Sequence, residues 1–197
     1  MPAMRPAERS LCTGRAYRAV ARSIVLPWAL QGLPPHGGEA LEVGAGSGAM
    51  AAALLAGDPG LRMVVTDVDP QMLTVASRTL RPFANRAEVL EADATALPFD
   101  DGRFEAVFSF AMLHHVLQWE QAVAELFRVL RPQGRLTGYD VVDTRLVRAF
   151  AHHGSSDVRL ATSKALLSVL TRLPFSSVSI RRSLAGSVMR FTATKAG

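Results

Sequence analysis

An α/β fold built on a largely parallel sheet is what this chain predicts, and three observations predict it. From residue 40 onward short apolar runs alternate with helical patterns, the order that crossover connections between parallel strands impose. A glycine-rich turn, Gly44-Ala45-Gly46-Ser47-Gly48, joins the first apolar run directly to the first helical one, and Asp, Pro or Gly marks most other junctions. With 197 residues, 49% of them apolar, the chain suffices for one core and fits one domain.

Taken in order, residues 40–43 (ALEV) are the first strand, and the helix after Ser47 runs through AMAAALLA to a stop at Asp58-Pro59-Gly60. Residues 61–67 (LRMVVTD) are the second strand. Asp69 as N-cap and Pro70 at the first helical position, where its missing N–H costs nothing, open a helix that Pro82 closes. Residues 87–93 (AEVLEAD) read as strand three, and the turn residues of PFDDGR lead into strand four, residues 104–110 (FEAVFSF). An amphipathic helix over 120–130 (EQAVAELFRVL) stops at RPQG, and residues 135–142 (RLTGYDVV) are strand five. Residues 162–173 form a capped helix ended by Pro174. Residues 177–195 are two strands joined at Ala185-Gly186, antiparallel because the reversal is tight. Residues 144–160 read equally as a loop or a short helix.

Composition narrows the setting. Cys12 is alone, which excludes an internal disulfide and a cysteine-based zinc site and fits a reducing, cytoplasmic location. No apolar run approaches the roughly 18 to 20 residues that span a bilayer, and the nearest, SIVLPWAL from Ser23, is broken by Pro27. Arg5, Arg9, Arg15, Arg18 and Arg22 precede it in the manner of a transit peptide. No small-residue cleavage site follows, however, and Tyr17, Val20, Ile24 and Trp28 stand near helical spacing, so a helix packed on the domain is expected. The net charge of +5, with Lys164 and Lys195 the only lysines, favours anionic partners in general. The arginines are scattered without interleaved aromatics, which reads as a solvated basic face and not as a nucleic-acid surface.

The glycine turn carries the chemistry. GAGSGA satisfies G-x-G-x-x-[GA] with Ala49 in the last place, so a nicotinamide or flavin site competes, as does a turn that holds no ligand. Glu42, two residues before Gly44, separates them. A pyrophosphate would sit at the following helix N-terminus, where a carboxylate opposes it by about 1 to 4 kcal/mol. A ligand with an ammonium and a sulfonium, such as S-adenosyl-L-methionine, is drawn by the same carboxylate. Asp67 ends strand two about twenty residues after the loop, where an acid accepts both ribose hydroxyls in dinucleotide and adenosyl sites alike. Asp69 competes for that role but heads a Pro-led helix as its cap. Asp93, at the end of strand three, offers a carboxylate to an adenine amino group beside the Ala94 N–H, or else forms an Asx turn.

LEVGAGSGAM, VVTDVDPQML, EADATALPFDDGRFEAVFSFAMLHHV and LFRVLRPQGRL follow one another over residues 41–140. In these the chain resembles class I S-adenosylmethionine-dependent methyltransferases of the small-metabolite type related to quinone-biosynthesis enzymes. The resemblance implies a Rossmann-like seven-stranded sheet, order 3-2-1-4-5-7-6 with strand 7 antiparallel and helices on both faces. The single domain then divides into an N-terminal helical cover (1–38), a cofactor-binding core (39–140) and a helix with C-terminal hairpin (141–197). It implies S-adenosyl-L-methionine as cofactor and S-adenosyl-L-homocysteine as product. Glu42, Gly44 and Gly46 would face the methionine part, with Ala45 and Gly48 completing the turn. Asp67 would take the ribose, Val68 and Met72 would flank the adenine, Asp93 and Ala94 would meet its edge, and Phe110 would line the mouth after strand four. One departure is visible: Pro132-Gln133-Gly134 stands where relatives carry Pro-Gly-Gly.

Methyl transfer is an in-line displacement that needs a lone pair roughly 3 to 3.5 Å from the methyl carbon, and a base only when the nucleophile still carries its proton. His114 and His115, just past strand four at the carboxyl edge of the sheet, are candidates for that base or for an orienting group. Tyr139 and Asp140 have similar standing. His152-His153 lacks further ligands at a metal-binding spacing, so no metal is expected. SFAMLHH stands where enzymes acting on exocyclic nucleobase amines carry Asn/Asp-Pro-Pro-aromatic, and Cys12 is not placed for cytosine C5 chemistry. A small-molecule or lipid-like acceptor remains. Only the N-terminal helix, with Tyr17 and Trp28, and residues 141–162 are at hand to cover it, which leaves room for a second subunit of a homodimer. The competing reading is a non-catalytic partner subunit or sensor with the same fold.

Overall fold

In the computed structural model, which describes residues 14, 19–30, 37–144, 159–183 and 186–197, seven strands form one sheet. They are β1 (Gly38–Val43), β2 (Leu61–Asp67), β3 (Ala87–Glu91), β4 (Phe104–Phe110), β5 (Leu130–Val141), β6 (Phe175–Ser183) and β7 (Val188–Lys195). Their order is β3-β2-β1-β4-β5-β7-β6. The first five pair in parallel, and β7 runs antiparallel to both of its neighbours. This is the arrangement the resemblance implies.

Strands β1 and β2 read as near-continuous apolar runs because both of their faces are covered. Successive side chains alternate between two cores. On one face Leu41, Val43, Val64, Val107 and Leu136 pack under α4 (Trp119–Val129) and α5 (Ser163–Arg172). On the other, Ala40, Met63, Val65 and Phe108 meet α1 (Leu26–Leu30) and α2 (Ala49–Gly57). Helix α3 (Pro70–Leu80) closes that second side through Leu80 and is capped as expected, with the Gln71 N–H donating to Asp69 Oδ1 at 2.9 Å. Thr162 caps α5 by accepting from Ala165. Lys195 Nζ donates to the Phe127 and Leu130 carbonyls, satisfying the C-terminal end of α4 and tying β7 to it.

Two expectations need correction. Val20 and Ile24, which helical spacing puts on an inner face, are 47% and 64% exposed, whereas Ala21, Leu26 and Ala29 are buried. Residues Ala21–Val25 form a π turn. Pro27 cannot donate to a carbonyl four residues back and its ring would strike that carbonyl, so the wider turn accommodates it and rotates the buried face. Trp28 still packs inward, edge-on to Tyr139 with ring centroids 5.9 Å apart. Tyr17, Cys12, His152-His153 and Ala185 lie outside the described residues.

Strand β5 begins at Leu130, before the RPQG stop, and its register with β4 jumps from Phe104↔Leu130 to Ala106↔Arg135. Gln133 makes the resulting bulge with φ +65°, a left-handed conformation, and Gly134 beside it has no room for a Cβ, which would stand 2.7 Å from the Arg131 carbonyl oxygen. The departure from Pro-Gly-Gly thus puts a side chain where glycine is unstrained. Gln133→Gly is expected to raise stability by about 0.5 to 1 kcal/mol, read as a higher denaturant midpoint at unchanged slope.

Candidate functional site

The residues singled out by sequence gather at the carboxyl ends of the parallel strands, where open α/β sheets bind ligands. The turn after β1 is held down by backbone bonds: the Ala45 N–H donates to the Thr66 carbonyl at 2.9 Å and Gly48 to Ala45 at 3.0 Å. Its glycines serve different ends. A Cβ on Gly44 would fall 2.2 Å from Met112 Cγ, and one on Gly48 would press at 3.3 Å on Ala76 and Leu80 of α3. A Cβ on Gly46 would find nothing closer than Met72 Cε at 3.8 Å. Gly44 and Gly48 are therefore small for the protein's own packing, and Gly46 alone leaves a cradle.

Glu42 lies behind this turn, 1% exposed. The Ala51 N–H, one of the amides left over in the first turn of α2, donates to its carboxyl group. Its Oε2 has no hydrogen-bond partner among the described residues. Burial pushes the Glu42 carboxyl up to about 8; the Ala51 bond opposes this and the neighbouring Asp67 charge adds to it. That corrects the reading of Glu42 as a standing carboxylate. In the ligand-free protein at neutral pH it is mostly protonated, so its repulsion of a pyrophosphate is weaker than the sequence argument assumed. What remains is a buried, unsatisfied oxygen that a cation would both satisfy and ionise.

Asp67 is the last residue of β2 and clasps the glycine turn: Gly46 donates to Oδ2 at 2.8 Å and Asp69 to Oδ1 at 2.9 Å. Burial pushes its carboxyl above the usual range, against the amides of Asp69, Gly46 and Val68. Three amides on a carboxylate with about four acceptor sites leave one for a ribose hydroxyl. Val68 is half-buried, and Met72 is buried with its methyl toward Gly46. Strand β3 stops two residues short of Asp93, which forms the Asx turn, its Oδ1 accepting from both the N–H and the hydroxyl of Thr95 at 2.8 Å. Ala94 is buried beside it. The following loop is strapped to α4 by Arg128, which donates to the Leu97 and Phe99 carbonyls, while Glu125 receives the Leu97 N–H.

Phe110 ends β4 and is 7% exposed, stacked on Phe108 at 5.5 Å and on Tyr139 at 5.7 Å, a packed wall rather than an open mouth. Ala111 then adopts φ +52°, a conformation that costs a non-glycine residue about 1 to 2 kcal/mol. This kink turns the chain into the 3-10 turn Leu113–His115. His114 Nδ1 lies 2.6 Å from Asp140 Oδ1 at the end of β5, and the His115 ring is 4.0 Å from that of His114. The sequence names His114 and Asp140 separately; only the parallel pairing of β4 with β5 makes them a pair. Ala111 was missed, since nothing in its residue type marks a left-handed position. Among the described residues no group of His, Cys, Asp and Glu is arranged to hold a metal ion, and no helix is long and apolar enough to cross a membrane.

A seven-stranded sheet in this order, with an acid-led glycine turn at the end of its first strand, defines the Rossmann-like methyltransferase fold. Residues 41–138 match the family described as a methyltransferase domain. Over 96 residues the chain is 41% identical to the demethylmenaquinone methyltransferase of Thermus thermophilus, an alignment covering 49% of this chain and 44% of that protein. The chain thus spans less than half the length of that relative. Among solved structures, a protein of Pyrococcus horikoshii superposes with a TM-score of 0.80 at 17% identity, covering 98% of this chain and 100% of that one. A SAM-dependent methyltransferase of Thermotoga maritima gives 0.72 at 19% identity over 96% and 94%.

Proposed function

We propose that the protein binds S-adenosyl-L-methionine over the glycine turn and transfers its methyl group to a small-molecule acceptor, releasing S-adenosyl-L-homocysteine. The observation that carries this is Glu42, a buried acid whose Oε2 lacks a partner among the described residues, beside a Gly46 cradle that no side chain fills. A cationic amino group satisfies that oxygen and ionises the acid, whereas a pyrophosphate could be met only by the protonated form. When bound, the donor supplies a methyl group on a sulfonium that departs as a neutral thioether.

The chain's own residues hold and orient. Glu42 and the turn of Gly44, Ala45, Gly46 and Gly48 take the methionine end, Asp67 a ribose hydroxyl, and Val68 with Met72 one side of the adenine. Asp93 and Ala94 take the adenine edge, and the Phe110–Tyr139 stack excludes water beside the acceptor. The relative's name, demethylmenaquinone methyltransferase, makes a reduced naphthoquinone the first acceptor to try.

Calorimetry with S-adenosyl-L-methionine, S-adenosyl-L-homocysteine and NAD tests the donor. Binding of the first two without the third is expected, and NAD binding alone would overturn the proposal. Labelled donor incubated with a metabolite extract tests transfer; donor binding with no labelled product would favour a non-catalytic binding subunit. Asp67→Ala is expected to weaken donor binding by about 1 to 3 kcal/mol, the loss of hydrogen bonds to a charged group. Asp69→Ala is expected to cost about 1 kcal/mol of stability through the lost cap, with little change in affinity. Equal affinities in the two variants would refute the assignment.

A further inference from the structure

We propose that the face of the sheet beside α1 carries an oxyanion-binding site, in which Arg190 and Arg181 hold the carboxylate or phosphate of a small molecule beside the Trp28 and Tyr139 rings. The site stands apart from the glycine turn and does not rest on the methyl-transfer reading.

Strand pairing builds it. One row of residues crosses four strands: Phe110↔Tyr139 joins β4 to β5, Tyr139↔Arg190 joins β5 to β7, and Arg190↔Arg181 joins β7 to β6. Residues directly opposite one another share a face of the sheet. Met189, Phe191 and Ala193, which alternate with Arg190 along β7, fill the core under α4 and α5. Arg190 and Arg181 therefore stand on the other face with Tyr139, whose ring meets Trp28 of α1. Their Cβ atoms are about 5 Å apart. The end of β1, where the glycine turn begins, is three strand spacings from Arg190, about 14 Å.

Charge singles the pair out. Like charges directly opposite on one face oppose each other, and among the described residues neither guanidinium meets a carboxylate. Asp140, the one acid in β5, β6 and β7, lies on the opposite face across from Met189, whereas Arg135 adds a third positive charge to this one, opposite Thr194. Arg190 is half-buried. Its Nη1 donates to the Trp28 carbonyl at 2.8 Å, its guanidinium lies 5.5 Å from the Trp28 ring centroid, and its buried Nε has no partner among the described residues. Half-buried arginines elsewhere are satisfied: Arg86 donates to three carbonyls, and Arg128 to two carbonyls and two carboxylates. Pinning α1 takes one N–H and leaves Arg181 unexplained. A merely solvated basic face does not account for an Nε closed off from water.

An oxyanion accounts for both arginines. Guanidinium groups bind carboxylates and phosphates through paired N–H donors, and the donors uncommitted among the described residues are those of Arg190 Nη2 and of Arg181. Two cations balance a dianion, so a phosphate monoester binds more tightly than a monocarboxylate. The neighbouring rings favour an apolar or aromatic body on the ligand.

The test is calorimetry on the full chain with three probes that share one ring: phenyl phosphate, benzoate and benzyl alcohol. Affinity is expected to fall in that order, to about a tenth or less for the alcohol, and the phosphate's affinity is expected to drop as salt is added. Arg190→Gln should weaken phenyl phosphate binding about 10- to 100-fold and Arg181→Gln about 3- to 10-fold. Arg62→Gln, which removes an exposed charge from β2, should leave it within about twofold. Equal losses in all three variants would reduce the effect to diffuse attraction and overturn the inference. So would an alcohol that binds as well as the phosphate, or a phosphate that does not bind. Arg181 is exposed, so if Arg190→Gln does not fold, Arg181→Gln decides alone. Displacement of phenyl phosphate by S-adenosyl-L-methionine would put the anion over the glycine turn and overturn this inference only. Failure of S-adenosyl-L-methionine to bind overturns the functional reading and leaves this one standing.

Discussion

Binding of S-adenosyl-L-methionine at pH 7 is expected to release close to one proton from the protein. Burial holds the Glu42 carboxyl up at about 8 in the ligand-free state, so the protonated form predominates at neutral pH. A cation seated against Oε2 favours the ionised form and expels that proton. Calorimetry in buffers of different ionisation heat counts it directly. Affinity should therefore rise with pH as Glu42 ionises in the free protein and fall again once the donor's α-ammonium, near 8, loses its own proton. Glu42→Gln keeps the shape and the bond from Ala51 but has no proton to give. It should abolish the release and weaken binding about 10- to 100-fold, the loss of one charge-assisted hydrogen bond. Zero proton release in the wild type would remove Glu42 from the site.

The same residue makes the ligand-free protein less stable as pH rises. Its carboxyl goes from 4.5 in an ordinary setting to about 8 in the fold. Between those values the folded state binds more protons than the unfolded one, and stability declines with pH. The contribution is present in full below the lower value and lost by the upper one, at up to about 1.4 kcal/mol per pH unit, a few kcal/mol in all. Glu42→Gln lacks this slope. Without ligand it should unfold at a higher denaturant concentration than the wild type at pH 8 to 9, while binding its donor less well.

What the sequence could and could not convey follows local chemistry. Strands β2 and β4 fall on the residues expected, and α3 starts at its Asp69-Pro70 pair, because punctuation at each end is strong and short-range. The sequence places the start of β5 too late because a left-handed glutamine carries no mark in it, and it misphases the N-terminal helix because a π turn breaks the 3.6 period. In the site, residue types at strand ends were legible, since a parallel sheet delivers them all to one edge. Their physical states were not. The charge of Glu42 depends on how completely α2 and the turn bury it, and the His114–Asp140 contact depends on which strands are neighbours. Both are properties of tertiary packing.

The division of labour among the glycines is the least legible feature and gives the other large effect. Gly44→Ala is expected to destabilise the protein by about 2 to 4 kcal/mol, combining the strain of a Cβ at φ +66° with overlap 2.2 Å from Met112 Cγ. Trimming the neighbour, in Gly44→Ala with Met112→Ala, should recover less than the overlap, because the double variant also loses the buried methionine. Gly46→Ala meets no such obstacle. Its Cβ clears every neighbour by 3.8 Å or more at φ +55°, so only about 1 to 2 kcal/mol of backbone strain is expected. The methyl instead occupies the cradle, and donor affinity should drop by about tenfold or more. Denaturant unfolding without ligand and calorimetry with S-adenosyl-L-methionine separate the two effects. If Gly44→Ala proves stable but fails to bind, and Gly46→Ala binds normally, then the ligand approaches the other glycine and the cradle is misplaced by one turn of the loop.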